Sequence, residues 1–284
     1  MNASRFTRRI PLDVDGKFAG KKEGKRAKDL SGAAAMPQRA DGSRVCLFIN
    51  DESRHAQFGV FDGQTIAPGA IIDLIDDKPG SDVVGTPPQA GCPKGEGDFA
   101  EFDGEGVAYQ APYFYVAGSH GCGRETEEFL LSAFMLARIR VDGDGSPADA
   151  QGKALPEARW SEAVDLTYRL SDFLRRAERV GAFFGKGLDE ARNGLNIEGV
   201  AIYGDRLLAG LRAPSLDGRA FIVGADLPSL FAPGHEPAAA KPDVIPLPLG
   251  PRMASAISQD CRTDACWCSR DLPRSRRICP IVSI

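Results

Sequence analysis

The sequence predicts an all-β fold, β-propeller-like, with one inserted helix at about residues 171–182; a β-sandwich is the alternative. Three observations carry this. Short apolar runs are interrupted by 32 glycines and 20 prolines, a rhythm of strands and turns rather than of helices. Tight-turn sequences stand between neighbouring runs. One strand–turn–strand pattern then recurs along the chain.

Taken in order, the strands read Val45–Asn50, Gln57–Phe61, Thr65–Ile66, Ile71–Ile75, Val107–Tyr109, Phe114–Ala117, Phe134–Val141, Gly199–Tyr203, Arg206–Leu211 and Arg219–Gly224. Phe61-Asp62-Gly63-Gln64-Thr65 and Tyr203-Gly204-Asp205-Arg206 are the turn signals, because Asp and Gly accept conformations that strands reject. Ser171 reads as a helix N-cap, followed by Phe173, Leu174, Ala177, Val180 and Phe184 at helical spacing, giving a lid or side element. Asp76–Gly97 and Asp142–Ala158 are rich in Gly, Pro and Asp and read as loops.

The repeat is a polar-Gly-apolar-Ala strand, a turn, and a stronger strand. Ser31-Gly32-Ala33-Ala34 precedes Arg44-Val45-Cys46-Leu47, Glu105-Gly106-Val107-Ala108 precedes Tyr113-Phe114-Tyr115-Val116, and Glu198-Gly199-Val200-Ala201 precedes Arg206-Leu207-Leu208-Ala209. Such spacing leaves room for one or two further strands per copy, as in the four-stranded blades of a propeller. Gly106 and Gly199 are expected where strands crowd near an axis, or at a bulge needing positive φ.

At 284 residues and 43% hydrophobic, the chain can bury a sizeable core. A net charge of −4 argues against nonspecific phosphate binding, so no nucleic-acid partner is expected. The basic start, residues 1–27, reads as a solvated arm or part of a first strand, ahead of a domain over 28–250. No apolar run reaches membrane-spanning length and no secretory segment is evident, so a soluble, cytoplasmic protein with unpaired cysteines is expected.

Residues 251–284 break the pattern. Four of seven cysteines fall here, beside Trp267. Cys266-x-Cys268 is too closely spaced for a zinc knuckle and no His follows. A shifted reading frame accounts for the tail better. Trp267 followed by Cys268 forces a Val codon across their junction, and Met253 followed by Ala254 forces Gly. Cys266 to Ser269 becomes an apolar run, and a fourth copy of the repeat emerges as Arg-Asp-Leu-Ala-Gly-Leu and then Arg-Leu-Leu-Val-Leu-Ala-Gly. The tail as encoded is expected to be disordered, leaving the domain incomplete at its C-terminal end.

Chemistry is less legible. Glu105 and Glu198 occupy the same place in two copies, either projecting into a central channel or accepting backbone amides. Ser119 and His120 are adjacent, so on a strand they face opposite ways and cannot act as a nucleophile–base pair. His120 either lines a pocket with Arg124 or sits hydrogen-bonded in a turn.

Asp29-Leu30-Ser31-Gly32-Ala33, Asn50-Asp51-Glu52, Glu105-Gly106-Val107-Ala108 and Gly118-Ser119-His120 belong to a larger pattern. With Gly194-Leu195-Asn196-Ile197-Glu198-Gly199-Val200-Ala201 and Gly210-Leu211-Arg212-Ala213-Pro214, they resemble the bacterial family called "domain of unknown function thirty-six sixteen". The resemblance runs from about Lys28 to Gly250 and implies a propeller-like fold without an activity. Through the Glu-Gly-Val-Ala strand the chain is also distantly similar to esterase-like and phytase-like propellers.

Two functions follow as expectations. The first is a ligand-binding or interaction scaffold for a small molecule or protein. The alternative is a metal-assisted ester or phosphoester hydrolase at the channel mouth. There Glu105, Glu198, His120, Arg124 and Arg212 would be catalytic, and Asp51, Glu52, Glu105 and Glu198 would hold a hard cation such as calcium. No other cofactor is expected.

Overall fold

A computed structural model describes residues 12–22 and 24–248. Among them, the strands are β1 (Asp13–Val14), β2 (Gly32–Ala35), β3 (Arg44–Ile49), β4 (His55–Phe61), β5 (Thr65–Asp73), β6 (Lys94–Asp98), β7 (Gly104–Gln110) and β8 (Tyr113–Gly118). They continue as β9 (Glu128–Leu130), β10 (Leu136–Arg140), β11 (Val164–Thr167), β12 (Asn196–Tyr203), β13 (Arg206–Leu216), β14 (Arg219–Asp226) and β15 (Asp243–Pro248). Helices α1 (Arg169–Arg176) and α2 (Leu227–Leu230) are short. The fold is all-β, as the turn-punctuated sequence implies.

The strands form three antiparallel meanders of the same design. In the first, β2, β3, β4 and β5 pair in succession, with β1 added parallel to the far side of β5. The second runs β7, β8, β10, β11, and the third β12, β13, β14, β15. A separate parallel pair joins β6 to β9. Both expected tight turns form. Asp62 Oδ1 accepts from the Gln64 and Thr65 N–H groups at 2.8 and 2.7 Å, and Gly63 takes φ +105°. Gly204 takes φ +56° between β12 and β13.

The first strands of the three meanders lie side by side, and glycine permits it. A Cβ on Gly32 would sit 3.2 Å from Gly106 Cα; one on Gly106 would sit 2.8 Å from Gly199 Cα and 2.6 Å from Val200 N. These are the equivalent glycines of the repeat. Crowding between strands is therefore their reason, and a positive φ is not needed at Gly106, which is absent from the positive-φ glycines.

Apolar side chains fill the spaces between meanders. Ala34, Leu47, Ile49 and Phe58 of the first meet Val107, Phe114, Val116 and Ile139 of the second. Tyr115, Ala117 and Leu136 of the second meet Val200, Leu207, Phe221 and Val223 of the third. On the far face of the first meander, Phe18 stacks on Phe48 with ring centroids 4.7 Å apart, and Ala19 N–H donates to Gln57 Oε1. The described part of the basic start thus contributes β1 and an apolar anchor rather than only a solvated arm.

Several expectations need correction. Thr65–Ile66 and Ile71–Ile75 are one strand, carried past Pro68 by a register shift in its pairing with β4. Leu131–Phe134 forms a 3₁₀ turn, so β10 starts only at Leu136. The helix begins at Arg169 and ends at Arg176, because Ala177 turns to an extended backbone; Gly181–Phe183 is a separate 3₁₀ turn. Ser171 is no cap: it lies inside α1 and donates to the Phe134 carbonyl at 3.3 Å. Nor is α1 a lid, since Leu170, Phe173 and Leu174 are fully buried between the second and third meanders. Buried Arg169 ties α1 to α2 and the chain after it, donating to the carbonyls of Ser229, Ala232, Gly234 and Glu236. The expected loop Asp76–Gly97 ends in β6.

Cysteines also depart from expectation. Cys92 and Cys122 form a disulfide, while Cys46 is free and buried. Such bonds are uncommon in reducing compartments. No helix among the described residues is long and apolar enough to cross a membrane. The shifted-frame reading of residues 251–284 lies outside the described residues.

Gly106→Val should lower unfolding stability in urea by about 3 kcal/mol, the upper part of the usual range for overpacking. Gly143→Ala, where a Cβ meets nothing within 4 Å, should be nearly neutral. Equal effects at the two positions would refute crowding as the reason for Gly106.

Candidate functional site

The glutamates of the repeat are placed by two matching irregularities. In β7, Gly104 pairs with Gly118 and Gly106 with Ala117, so Glu105 is the extra residue of a β-bulge. In β12, Ile197 pairs with Leu211 and Gly199 with Gly210, so Glu198 is extra in the same way. In β2, Gly32 to Ala35 pair one for one with Ile49 to Cys46, and Ser31, the counterpart of the two glutamates, lies just before that register. A bulge re-aims the residue it releases from the ladder. Here it turns two carboxylates out of adjacent strands that already touch at Gly106 and Gly199.

Two further acids join them. Asp103 precedes β7 at φ +51°, and Asp51 follows β3. Asp103 is held through Ser119, whose N–H donates to the Asp103 carbonyl at 2.9 Å. The Ser119 hydroxyl also bonds the Asp103 carboxylate and draws its pKa down, but burial dominates and pushes it up to about 6. On its other side the Ser119 carbonyl accepts from Ile197 N–H at 2.8 Å. Ser119 therefore links the residue two before Glu105 to the residue one before Glu198.

Like charges crowd this corner. Glu105 is held well above the ordinary carboxylate range, by burial first and then by Glu198, Asp103 and Asp51, with Arg124 opposing. Glu198 is also raised by burial, while Arg124 pulls it back and Asp103 and Asp51 add to the rise. Arg212 Nη1 contacts Glu198 Oε1 at 2.6 Å and Arg124 Nη2 lies 4.0 Å from the same oxygen. Both guanidiniums favour the charged form of Glu198, so of the pair Glu105 is held further above its ordinary value. Among the described residues no hydrogen bond reaches the Glu105 carboxyl, so the expected backbone amides do not satisfy it. Its neighbour opens to water, the Glu198 side chain being 42% exposed.

Other expected residues fall elsewhere. His120 is fully buried at φ +51°, with Nδ1 3.0 Å from the Gly118 carbonyl and its ring 5.9 Å from Phe134. Burial pushes its pKa down to about 4, and none of the four acids acts on it. It sits in a turn as a neutral ring, not beside Arg124 at the mouth. Glu52 pairs with Lys28 at 2.9 Å. Among the described residues no three His, Cys, Asp or Glu side chains are gathered closely enough to hold a metal ion, so Asp51, Glu52, Glu105 and Glu198 form no ready calcium cage. Asp103 and Ser119 were missed as site residues. Glu101, Asp103 and Glu105 alternate along the chain, the spacing that places residues on one side of an extended backbone, and that signal was available.

Residues 93–229 match the family described as "Protein of unknown function (DUF3616)". This segment is similar to that family. It runs from just before β6 into α2 and contains Asp103, Glu105, Ser119, Arg124, Glu198 and Arg212; Asp51 and the first meander lie before it. No curated protein matches the chain.

The clustered acids carry a stability cost with a definite sign. Asp103 has a folded pKa of about 6, above an unfolded value of roughly 4. Below pH ~4 it is protonated in both states and costs nothing; between about 4 and 6 only the unfolded chain releases the proton, so stability falls as pH rises. Thermal unfolding should show Asp103→Asn more stable than the parent at pH 7 and indistinguishable below pH 4. A parent that gains stability through this window relative to the variant would contradict the assignment.

Proposed function

We propose that the three meanders are consecutive blades of a propeller-like ring, and that its axial mouth binds a cationic group of a small molecule or protein. Support for the ring comes from the shared strand order and from the line Gly32, Gly106, Gly199, where the first strands meet as they do around an axis. The observation that carries the binding reading is Glu105. It is released by a bulge, surrounded by Glu198, Asp103 and Asp51, and left without a hydrogen-bond partner among the described residues.

A cation entering beside it would restore what the fold withholds. An ammonium or guanidinium group donates several N–H bonds and offsets the mutual repulsion of the acids, so Glu105 would ionise as the ligand binds. Arg124 and Arg212 limit the charge excess and leave Glu198 partly neutralised. Selectivity would then come from shape and from the number of donors rather than from charge alone.

Hydrolysis is the second reading, favoured by one observation: a carboxyl with a raised pKa, next to a carboxylate that two guanidiniums face, is a pairing that can donate a proton and stabilise an anion. Calcium, if it takes part, would be held by Asp51, Glu105 and Glu198 after rearrangement. Chromogenic acetate and phosphate esters, with and without calcium, test it. Turnover that disappears in Glu105→Gln would favour this reading over binding.

Calorimetric titration with spermidine tests the binding reading. Glu105→Gln should weaken binding about tenfold, the size of one lost charge-assisted hydrogen bond. The variant should stay folded, since the lost carboxylate makes no structural bond. Equal affinity in both proteins would sink the assignment of the mouth.

A further inference from the structure

Cys92 and Cys122 lie 30 positions apart and join the loop before β6 to the segment Ser119–Arg124 after β8. That segment meets the acidic mouth at both ends. At one, Ser119 holds Asp103 and Ile197 through its backbone. At the other, Arg124 stands 4.0 Å from Glu198 Oε1. Beyond it the chain is fixed independently: Lys94 N–H donates to the Glu127 carbonyl, Glu128 pairs with Lys94 in the β6–β9 ladder, and Arg192 pairs with Glu127. Between the His120 N–H bond to Ala133 and Gly123, which bonds both Glu127 and Glu128, the restraints are the covalent link and the Gly121 N–H bond to Ser119 Oγ at 3.3 Å.

We propose that the Cys92–Cys122 bond is a redox-cleavable tether that holds Arg124 against the acidic mouth and so sets how strongly the mouth repels its own charge. The consequence for ligand affinity rests on the binding reading above; the tether itself does not. Cys92 is the sulfur within reach, being half-buried where Cys122 is 2% exposed. A dithiol reductant would attack it through one thiolate. The Cys92–Cys122 bond breaks, its electron pair leaves on Cys122, and Cys122 then takes a proton. The reductant's second thiolate then attacks the reductant's own sulfur in the mixed disulfide; Cys92 leaves as a thiolate and takes a proton, so the reductant departs as its own disulfide and both cysteines end as thiols.

Release of the segment frees a guanidinium whose side chain is already 60% exposed. Arg124 lowers the pKa of Asp103, Glu105 and Glu198 alike, so its departure raises all three. Asp51 and Glu101 remain on the acidic side, and Arg212 alone stays paired to Glu198. The mouth then carries more unbalanced negative charge and attracts cations more strongly.

Three readouts on the full chain test this. Alkylation followed by peptide mass should find Cys92 and Cys122 protected until dithiothreitol is added. Tryptic cleavage after Arg124 should then run at least about tenfold faster in the reduced chain and in Cys92→Ser/Cys122→Ser, as local opening becomes easier. Third, the loss of thermal stability between pH 4 and pH 6 should be steeper without the bond, a measurement that needs no ligand. If the double variant does not fold, the parent reduced at neutral pH and moved to acid serves for both later readouts.

Cysteines that alkylate without reductant, or cleavage at an unchanged rate, overturn the tether. Faster cleavage with an unchanged pH profile overturns its link to the mouth. Spermidine that fails to bind either form counts against the binding reading and leaves the tether to be decided by the other measurements.

Discussion

The arrangement depends on how closely β2, β7 and β12 approach one another. A Cβ on Gly106 would lie 2.6 Å from the Val200 nitrogen, a distance no side chain tolerates without moving backbone. Once glycine holds that line, each meander must stack its apolar face on the next. The two main cores follow directly: one lies between the first and second meanders, the other between the second and third. Helix α1 then fills space that the sheets leave, which is why its apolar side is buried rather than laid over an opening.

The same closeness creates the electrostatic problem. Strands in contact at Gly106 and Gly199 bring the preceding residues together, and two bulges release both from their ladders. In the first meander the corresponding residue is Ser31, just before the Gly32–Ala35 pairing, with its N–H donating to the Ile49 carbonyl. Geometry common to all three copies thus yields an acidic pair only where the sequence departs from the Ser copy. The fold supplies the proximity and two residues supply the charge.

Much of this was legible in the sequence because hairpin chemistry is local. Asp62-Gly63 and Gly204 announce their turns, and the flanking apolar runs fix β3 to β5 and β12 to β14 within a few residues. What escaped depends on distant partners. β11 and β15 are short or rich in Pro, and pairing with β10 and β14 makes them strands. Ser171 looked like a cap because a hydroxyl before an apolar run usually is one, yet its partner is a carbonyl 37 residues away. His120 could not be sorted between pocket and turn until its burial was known. The Cys92–Cys122 pair was hidden for the same reason, since spacing alone names no partner. Asp103 was different: its alternation with Glu105 was visible, but nothing local marked Ser119 as the group that holds it.

Glu105 is hard to explain as part of the scaffold. Its carboxyl accepts no hydrogen bond among the described residues, and every acid near it raises the cost of its charge. Glu198 at least gains Arg212. A serine at the same place in the first meander shows that a first strand closes against its neighbour without a carboxylate, so stacking does not require one. Glu105 is half-buried, so its carboxyl is left to water rather than to a partner within the fold. Burial and repulsion are paid continuously, while a benefit from a cationic group arises only when it is bound. That imbalance, more than the raised pKa itself, separates Glu105 from the many surface carboxylates whose bonds are complete.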